Sequence, residues 1–310
     1  MDSVRQSQYP FAIEHYRLRF NKAKRRRPRI PPAQPNQPAP LDSKGWSVRQ
    51  NFKLGAYSEY KQELDVAVKF YDLAYNELID LFSSTAILPP STKRWTEARI
   101  LADSLAYKLC KLLLYLGEHG RVVHTFHGHN RRMVGLCNGW GLGRETPEYW
   151  AWLGRNYRVF AELVDISETT IVPEHEIEEA MKMITGDIIL NVEMVLQHPG
   201  YYYLLAGECV RQQNSRTVLK EVDASLAAEL MVQDEKEAGK GGNLNALLFE
   251  NLSLSAEHFV KHGNRRTAAY VELARCKSHY FAGKYDVALE YSHTAFVAVW
   301  TLTILDCCIR

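Results

Sequence analysis

From Trp46 onward, apolar residues return every three or four positions, and alternating β-branched runs are nearly absent. That period places apolar side chains along one face of a helix, whereas a half-buried strand needs a period of two. Leu54, Tyr57, Tyr60, Leu64, Ala67, Val68 and Tyr71 share one such face, and Phe70, Leu73, Ala74, Leu78 and Leu81 continue the apolar positions. Leu88-Pro89-Pro90 stops the pattern, and Ser91 or Thr92 is placed to cap a helix over Trp95 to Leu116. Thr146-Pro147-Glu148 reads as a cap with proline at the first helical position, opening a helix to Ile166. Further helices are expected over Glu174–Leu196, from Tyr201 to Gln212, Thr217–Met231, Leu244–Lys261 and Asn264–Phe281, and after Gly283. Residues 121–146, broken by His and Arg and rich in glycine, read as a loop.

Helices of this length joined by short loops predict an all-α fold. At 310 residues the chain exceeds what one compact core usually fills, roughly 250–300 residues, so two domains or one elongated array are expected. Two segments carry the small residues with which a tetratricopeptide-like hairpin lets its helices cross. In the first, Gly55, Ala67 and Ala74 permit close approach and Tyr71 fills the gap toward a neighbour. In the second, Gly283 gives the turn, Tyr285 closes it, Ala288 and Ala295 sit at the crossing, and Tyr291 follows. Cys276 takes the earlier small position. The expected architecture is an α-solenoid of TPR-like hairpins, in which each unit packs only on its neighbours.

The charge is split. Eight Lys or Arg and no acid lie between Arg17 and Arg29. Removing those eight from 38 leaves 30 basic against 36 acidic side chains, so the body is acidic although the whole chain is +2. A uniformly basic nucleic-acid-binding domain is thereby disfavoured. Tyr9 to Phe20 suits a short helix, and Pro28 to Pro40 holds six of the twelve prolines, which predicts an extended linker. Residues 1–44 are therefore read as a disordered or extended basic, proline-rich segment, 45–291 as the solenoid and 292–310 as a divergent tail. Lys24, Arg25, Arg26, Arg27 and Arg29 are the candidates for contact with a partner or an anionic membrane. An RNA-binding arm is the alternative reading of the same run.

Other constellations bear on chemistry. His124, His127 and His129 form H-x-x-H-x-H, which on a loop offers zinc ligands or, more simply, a solvated histidine cluster. Gly139-Trp140-Gly141-Leu142-Gly143 has the glycines of a phosphate-binding loop, but no strand precedes it and no lysine closes it. Tyr201-Tyr202-Tyr203 suits a partner anchor or a helix-start core cluster, and the latter is preferred. Glu174, Glu176, Glu178 and Glu179 complement a helix dipole rather than form a catalytic pair. Cys110, Cys137, Cys209, Cys276, Cys307 and Cys308 contain no C-x-x-C pair and, without a signal peptide, point to free thiols in a reducing compartment. Cys307 is four from the end but the chain finishes in Arg310, against a prenylation site. The apolar stretch Thr294–Leu305 is too short for a membrane span. No catalytic set, metal box or cofactor fingerprint emerges, so neither enzymatic activity nor a cofactor is expected.

Several motifs, in order, resemble one family. Gly45-Trp46-Ser-Val-Arg-Gln-Asn-Phe-Lys-Leu-Gly-Ala-Tyr57, running on to Asp65-Val-Ala67, is similar to the signature of the Foie gras domain. That domain is found in subunit eleven of the transport protein particle (TRAPP) complex. Arg25-Arg-Arg-Pro28 and the prolines resemble the family's connector, and Arg94-Trp95-Thr-Glu97-Ala98-Arg99 with Leu101-Ala-Asp103 resembles the next helix of the fungal branch. Tyr149-Trp150-Ala151-Trp152 with Phe160-Ala-Glu-Leu163, and His198-Pro199-Gly200-Tyr201-Tyr202, are similar to later steps. The resemblance covers roughly residues 17–291. It implies a non-catalytic α-solenoid scaffold in a tethering complex at early Golgi and ER–Golgi membranes, partnered by other TRAPP subunits. Through the assembled complex it implies contact with a Rab-family GTPase. Family members are longer on both sides, and residues 292–310 depart from the repeat, which suggests a shortened chain.

Overall fold

The computed structural model describes residues 2–25, 43–82, 88, 92–167, 198–230 and 241–309. Among the described residues there are ten helices and no strand. They are α1 (Asp2–Arg25), α2 (Ser43–Tyr60), α3 (Leu64–Phe82), α4 (Lys93–Tyr115), α5 (His119–Gly139), α6 (Pro147–Ile166), α7 (Pro199–Leu230), α8 (Gly241–Lys261), α9 (Arg265–Phe281) and α10 (Tyr285–Ile309). The fold is all-α and built of helical hairpins, the local architecture of a solenoid. The chain divides into two compact units, Met1–Arg131 and Arg132–Arg310. In the first, α1 packs on α2, α2 on α3 and α3 on α4; in the second, α6 packs on α7, α7 on α8, α8 on α9 and α9 on α10.

One turn joins helices four times. After α2, α4, α8 and α9 a single residue takes the left-handed conformation: Gln62 (φ 66°), Gly117 (75°), Gly263 (79°) and Gly283 (74°). The next amide reaches back five residues to a helix carbonyl: Glu63 to Ser58, Glu118 to Leu113, Asn264 to Phe259 and Lys284 to His279, each at 2.9 or 3.0 Å. That bond satisfies carbonyls the helix end leaves open. The same residue's own carbonyl then accepts the first bond of the following helix, from Ala67, Val122, Ala268 and Ala288. Three residues thus end one helix and start the next.

Helix starts follow local chemistry. Thr92 caps α4, its hydroxyl accepting from the Trp95 amide at 3.3 Å. Pro147 opens α6 as expected, but the Thr146 hydroxyl donates to the Gly143 carbonyl at 2.9 Å instead of capping.

The structure corrects four boundaries. The apolar run from Leu54 to Leu81 is two helices, because Lys61–Glu63 turns the chain. Residues 119–139, read as part of a loop, are helix α5. Val122, Phe126, Met133 and Cys137 are buried along one face, and the polar His129 and Asn130 hide that stripe by lying buried within it. Residues 199–230 form one helix rather than two, since the polar stretch Gln213–Arg216 contains no breaker. The short helix expected over Tyr9–Phe20 reaches from Asp2 to Arg25, so Lys24 and Arg25 end a helix instead of belonging to an extended segment. Residues 26–42 and the helix expected over Glu174–Leu196 lie outside the described residues.

The core of the first unit is aromatic and leucine-rich, with Tyr71, Phe82, Leu105, Leu113 and Phe126 almost fully buried. In the second, Phe160 meets Tyr202 edge-on at 4.6 Å between α6 and α7. Val210, Leu248, Leu252, Ala256, Phe259, Ala268 and Val271 form a core joining α7, α8 and α9. Burying each large side chain contributes about 1.5–3 kcal/mol.

Candidate functional site

At the α2–α3 crossing, Gly55 faces the ring of Tyr71 so closely that a β-carbon there would lie 2.8 Å from it. Ala67 and Ala74 are fully buried beside it. Tyr71 donates its hydroxyl to Glu59 at 2.7 Å, and Lys108 sits over its ring at 5.2 Å while pairing with Glu59 at 2.9 Å. Burial, and then the carboxylate of Glu59, push the phenol far above its ordinary range, so it stays a neutral donor. At the α9–α10 turn, Gly283 is the left-handed residue, Ala288 and Ala295 are buried, and Cys276 is half-buried. Tyr291 stacks on His279 (5.2 Å) and accepts a 2.6 Å bond from Arg275, whereas Tyr285 is exposed and edge-on to Tyr280. Gly55, Ala67, Tyr71, Ala74 and Ala288 are thus buried and Tyr291 half-buried, while Gly283 and Tyr285 are exposed.

The histidine triplet is not a loop. On α5, His127 and His129 point about 200° apart around the helix. His129 is buried, with Nδ1 against the Tyr75 hydroxyl at 3.0 Å and Nε2 against Asp103 at 2.9 Å, so both ring nitrogens are engaged. His124 is exposed, and burial followed by Arg131 lowers the pKa of His127. Among the described residues no group of His, Cys, Asp or Glu is arranged to hold a metal. Helical spacing turns His129 away from His124 and His127, and its nitrogens are already engaged, so the three do not converge as one ligand set.

The glycine-rich stretch ends α5. The amides of Trp140 and Leu142 donate to the Cys137 carbonyl and that of Gly141 to Asn138, which turns them inward and away from any anion. Tyr202 and Tyr203 are buried and Tyr201 packs against the α7–α8–α9 core, as a helix-start cluster does. The preceding His-Pro-Gly step is locked. The Gly200 amide donates to His198 Nδ1 at 3.0 Å, and the Ser255 hydroxyl to the Gly200 carbonyl at 2.8 Å. A β-carbon at position 200 would meet that histidine at 2.9 Å.

Of the basic candidates, Lys24 and Arg25 are exposed in the last turn of α1, where cations complement the helix dipole. Arg26, Arg27 and Arg29 lie outside the described residues. Cys110 and Cys209 are buried, and burial pushes both thiols up to about 12. Neither is a nucleophile at neutral pH.

One feature escaped the sequence reading. A groove of about 680 Å³ lies between α7, α8 and α9. Leu204, Leu248, Leu252 and Leu273 give it apolar walls, and Tyr270 and Phe281 lie along α9 beside them. Tyr270, Leu273 and Phe281 are more than half exposed. The signal was a second stripe on α9, at 270, 273–274, 277 and 281, beside the core stripe of Ala268 and Val271. The groove's charged residues are Glu208, Arg211 and Lys277.

The sequence aligns over part of its length with a subunit found in vertebrates. Trafficking protein particle complex subunit 11 of Bos taurus and that of Homo sapiens are each 28% identical over 162 residues. The Gallus gallus protein is 26% identical over 161 residues. Each alignment covers 52% of this chain and 12% of the relative, so the chain spans only a small part of the relatives it matches. The sequence model of the family described as Foie gras liver health family 1 matches residues 94–302, well over half of the chain, and the chain belongs to that family.

Proposed function

We propose that the chain acts as a non-catalytic scaffold or adaptor subunit of a TRAPP-type vesicle tethering complex. Its place is ER-to-Golgi and Golgi membrane traffic, at the cytoplasmic face of early Golgi membranes. The family match over residues 94–302 carries this reading. The helical hairpins support it, because stacked hairpins present long side-chain surfaces suited to protein contact. The buried, high-pKa thiols and the fully engaged His129 fit a structural role better than a catalytic one. No described helix is long and apolar enough to cross a membrane, which fits peripheral recruitment through other subunits. The basic end of α1 is a contact for a partner subunit or an anionic membrane, and any link to a Rab-family GTPase runs through the assembled complex. Affinity purification of the tagged chain from its own cells is expected to recover other TRAPP subunits. A clean purification without any of them overturns the reading.

A further inference from the structure

We infer that the groove walled by α7, α8 and α9 docks an acidic amphipathic helix of a partner protein. This rests on the scaffold reading and adds to it the place and chemistry of one contact. The volume, about 680 Å³, lies within the 300–1,000 Å³ of ligand-binding clefts. Its length selects a helix. Tyr270 and Phe281 stand eleven residues apart on α9, about 16 Å, which matches three turns of a second helix laid along it. Its chemistry does too. The walls are helices whose backbone groups are bonded internally, so they offer no edge to an extended strand, and an extended partner would lay its own amides over leucines. A helix arrives with its backbone already satisfied and presents a row of apolar side chains to Leu204, Leu248, Leu252 and Leu273.

Charge sets the partner's sign. Both carboxylate oxygens of Glu208 are taken by Arg211, at 2.8 and 2.6 Å, and one also by Gln212 at 3.0 Å. These bonds, with Lys277 close enough to act on it, hold the Glu208 carboxyl below its usual range despite partial burial. Its negative charge is therefore spent. Lys277 is exposed and makes no hydrogen bond or ion pair among the described residues. Arg211 and Glu208 offset each other, so Lys277 leaves the groove one net positive charge, and it lies in the same stripe as Tyr270, Leu273 and Phe281. A partner helix whose apolar face is flanked by Asp or Glu complements both features, with the aromatic pair as anchors.

The test uses the full chain and two fluorescent, lactam-stapled helical peptides of about four turns. Both carry leucines at i, i+4 and i+7, flanked in one by glutamates and in the other by lysines. Fluorescence anisotropy is expected to show the glutamate peptide binding at least ~10-fold tighter. Lys277→Glu should reverse that preference and Leu273→Asp should abolish binding of both. The two residues are exposed, and circular dichroism checks that the variants remain helical. Equal binding of the two peptides, or binding indifferent to both substitutions, overturns the proposal. It also falls if Leu273→Asp turns a dimer into a monomer by light scattering while neither peptide binds, since the groove is then a self-interface. Co-purification separates it from the scaffold reading. If both variants still recover every TRAPP subunit that the wild type recovers, the groove proposal fails alone; if the wild type recovers none, the scaffold reading fails.

Discussion

In the first unit, carboxylates hold several inward-facing polar side chains; in the second, three buried histidines lie flat against aromatic rings. Glu59 holds Tyr71 and Lys108, Glu77 accepts from Ser47 and Asn51 at 2.8 and 2.9 Å, and Asp103 faces His129. On the other side, His198 stacks on Phe259 at 4.4 Å, His258 on Tyr203 at 5.4 Å, and His279 lies between Phe249 at 3.9 Å and Tyr291 at 5.2 Å. Among the described residues, the carboxylate of Asp165 lies 3.7 Å from His258. Directional bonds to a charge fix one rotamer and one register. Stacked rings fix position by packing, and burial is what opposes a proton on them. The two units therefore reach the same hairpin architecture with different sensitivities.

The difference predicts the largest effect at Tyr71, where packing and the carboxylate link coincide. Tyr71→Ala should destabilise the chain by about 3–5 kcal/mol, while Tyr71→Phe, which keeps the ring over Gly55, should cost about 1–3 kcal/mol. Urea denaturation measures both. If the two variants lose equal stability, the first unit does not depend on packing at that crossing.

Acid should act on the second unit. Burial, then His262 and His258, lower the pKa of His198 to about 3. Its Nδ1 accepts from the Gly200 amide and its Nε2 is buried without a partner, so a second proton would face a donor. Burial also lowers His258 (with Lys261 adding, and Asp165 and Glu257 opposing), His262 (beside Lys261 and His258) and His279 (beside Lys284 and Arg275). A depressed histidine means that the unfolded chain binds more protons than the folded one. Stability is then fully present above about pH 6.5 and falls with pH through the window down to the folded value. His198 alone accounts for a loss of ~3 kcal/mol at pH 4. Hydrogen-exchange protection factors resolve the units, and α7 and α8 should lose protection before α2 and α3. Uniform loss across both units would dissolve the distinction.

How much of this was legible depends on what the residues do. The α2–α3 crossing is legible in the small residues Gly55, Ala67 and Ala74, although the unbroken apolar period across Lys61–Glu63 hides the turn between the two helices. Helix α5 differs from the loop reading because its inner face carries His129 and Asn130, and a residue such as His129 looks like surface until its partners Tyr75 and Asp103, distant in sequence, are in place. The groove was invisible for the opposite reason. Tyr270, Leu273 and Phe281 look like core on a helix that already has one, and only the structure shows which apolar stripe is covered. Periodicity identifies a helix and its faces but not which of two apolar faces meets a neighbour.

Crossing glycines give a smaller and sharper comparison, since both units use them. A β-carbon at Gly55 would lie 2.8 Å from the Tyr71 ring, and one at Gly154 would lie 3.0 Å from the Cys209 β-carbon. Gly55→Ala and Gly154→Ala should each cost about 1–3 kcal/mol, since α2–α3 and α6–α7 must separate. Gly128→Ala in α5, which meets nothing within 4 Å, should instead stabilise by about 0.5–1 kcal/mol through helix propensity. A penalty at Gly128 matching that at Gly55 would remove the crossings as the cause.

The smallest effect lies in the shared turn, where the first unit alone departs from glycine. Gly117, Gly263 and Gly283 take the left-handed conformation freely, while Gln62 holds φ 66° with a β-carbon crowding the following carbonyl. Its bonds match those of the other three turns, so the site is strained but not differently built. Gln62→Gly should therefore stabilise by about 0.5–1 kcal/mol, the relief of strain exceeding the added freedom of the unfolded chain. Gly283→Gln, the reverse change in the second unit, should destabilise by a similar amount. Chemical denaturation of the two variants reads both signs. Opposite signs make the turn one interchangeable device, indifferent to how each unit ties its buried polar groups. A loss of stability in Gln62→Gly would mean that the Gln62 side chain contributes more than its backbone strain costs, and the two units would then differ in their turns as well as in their cores.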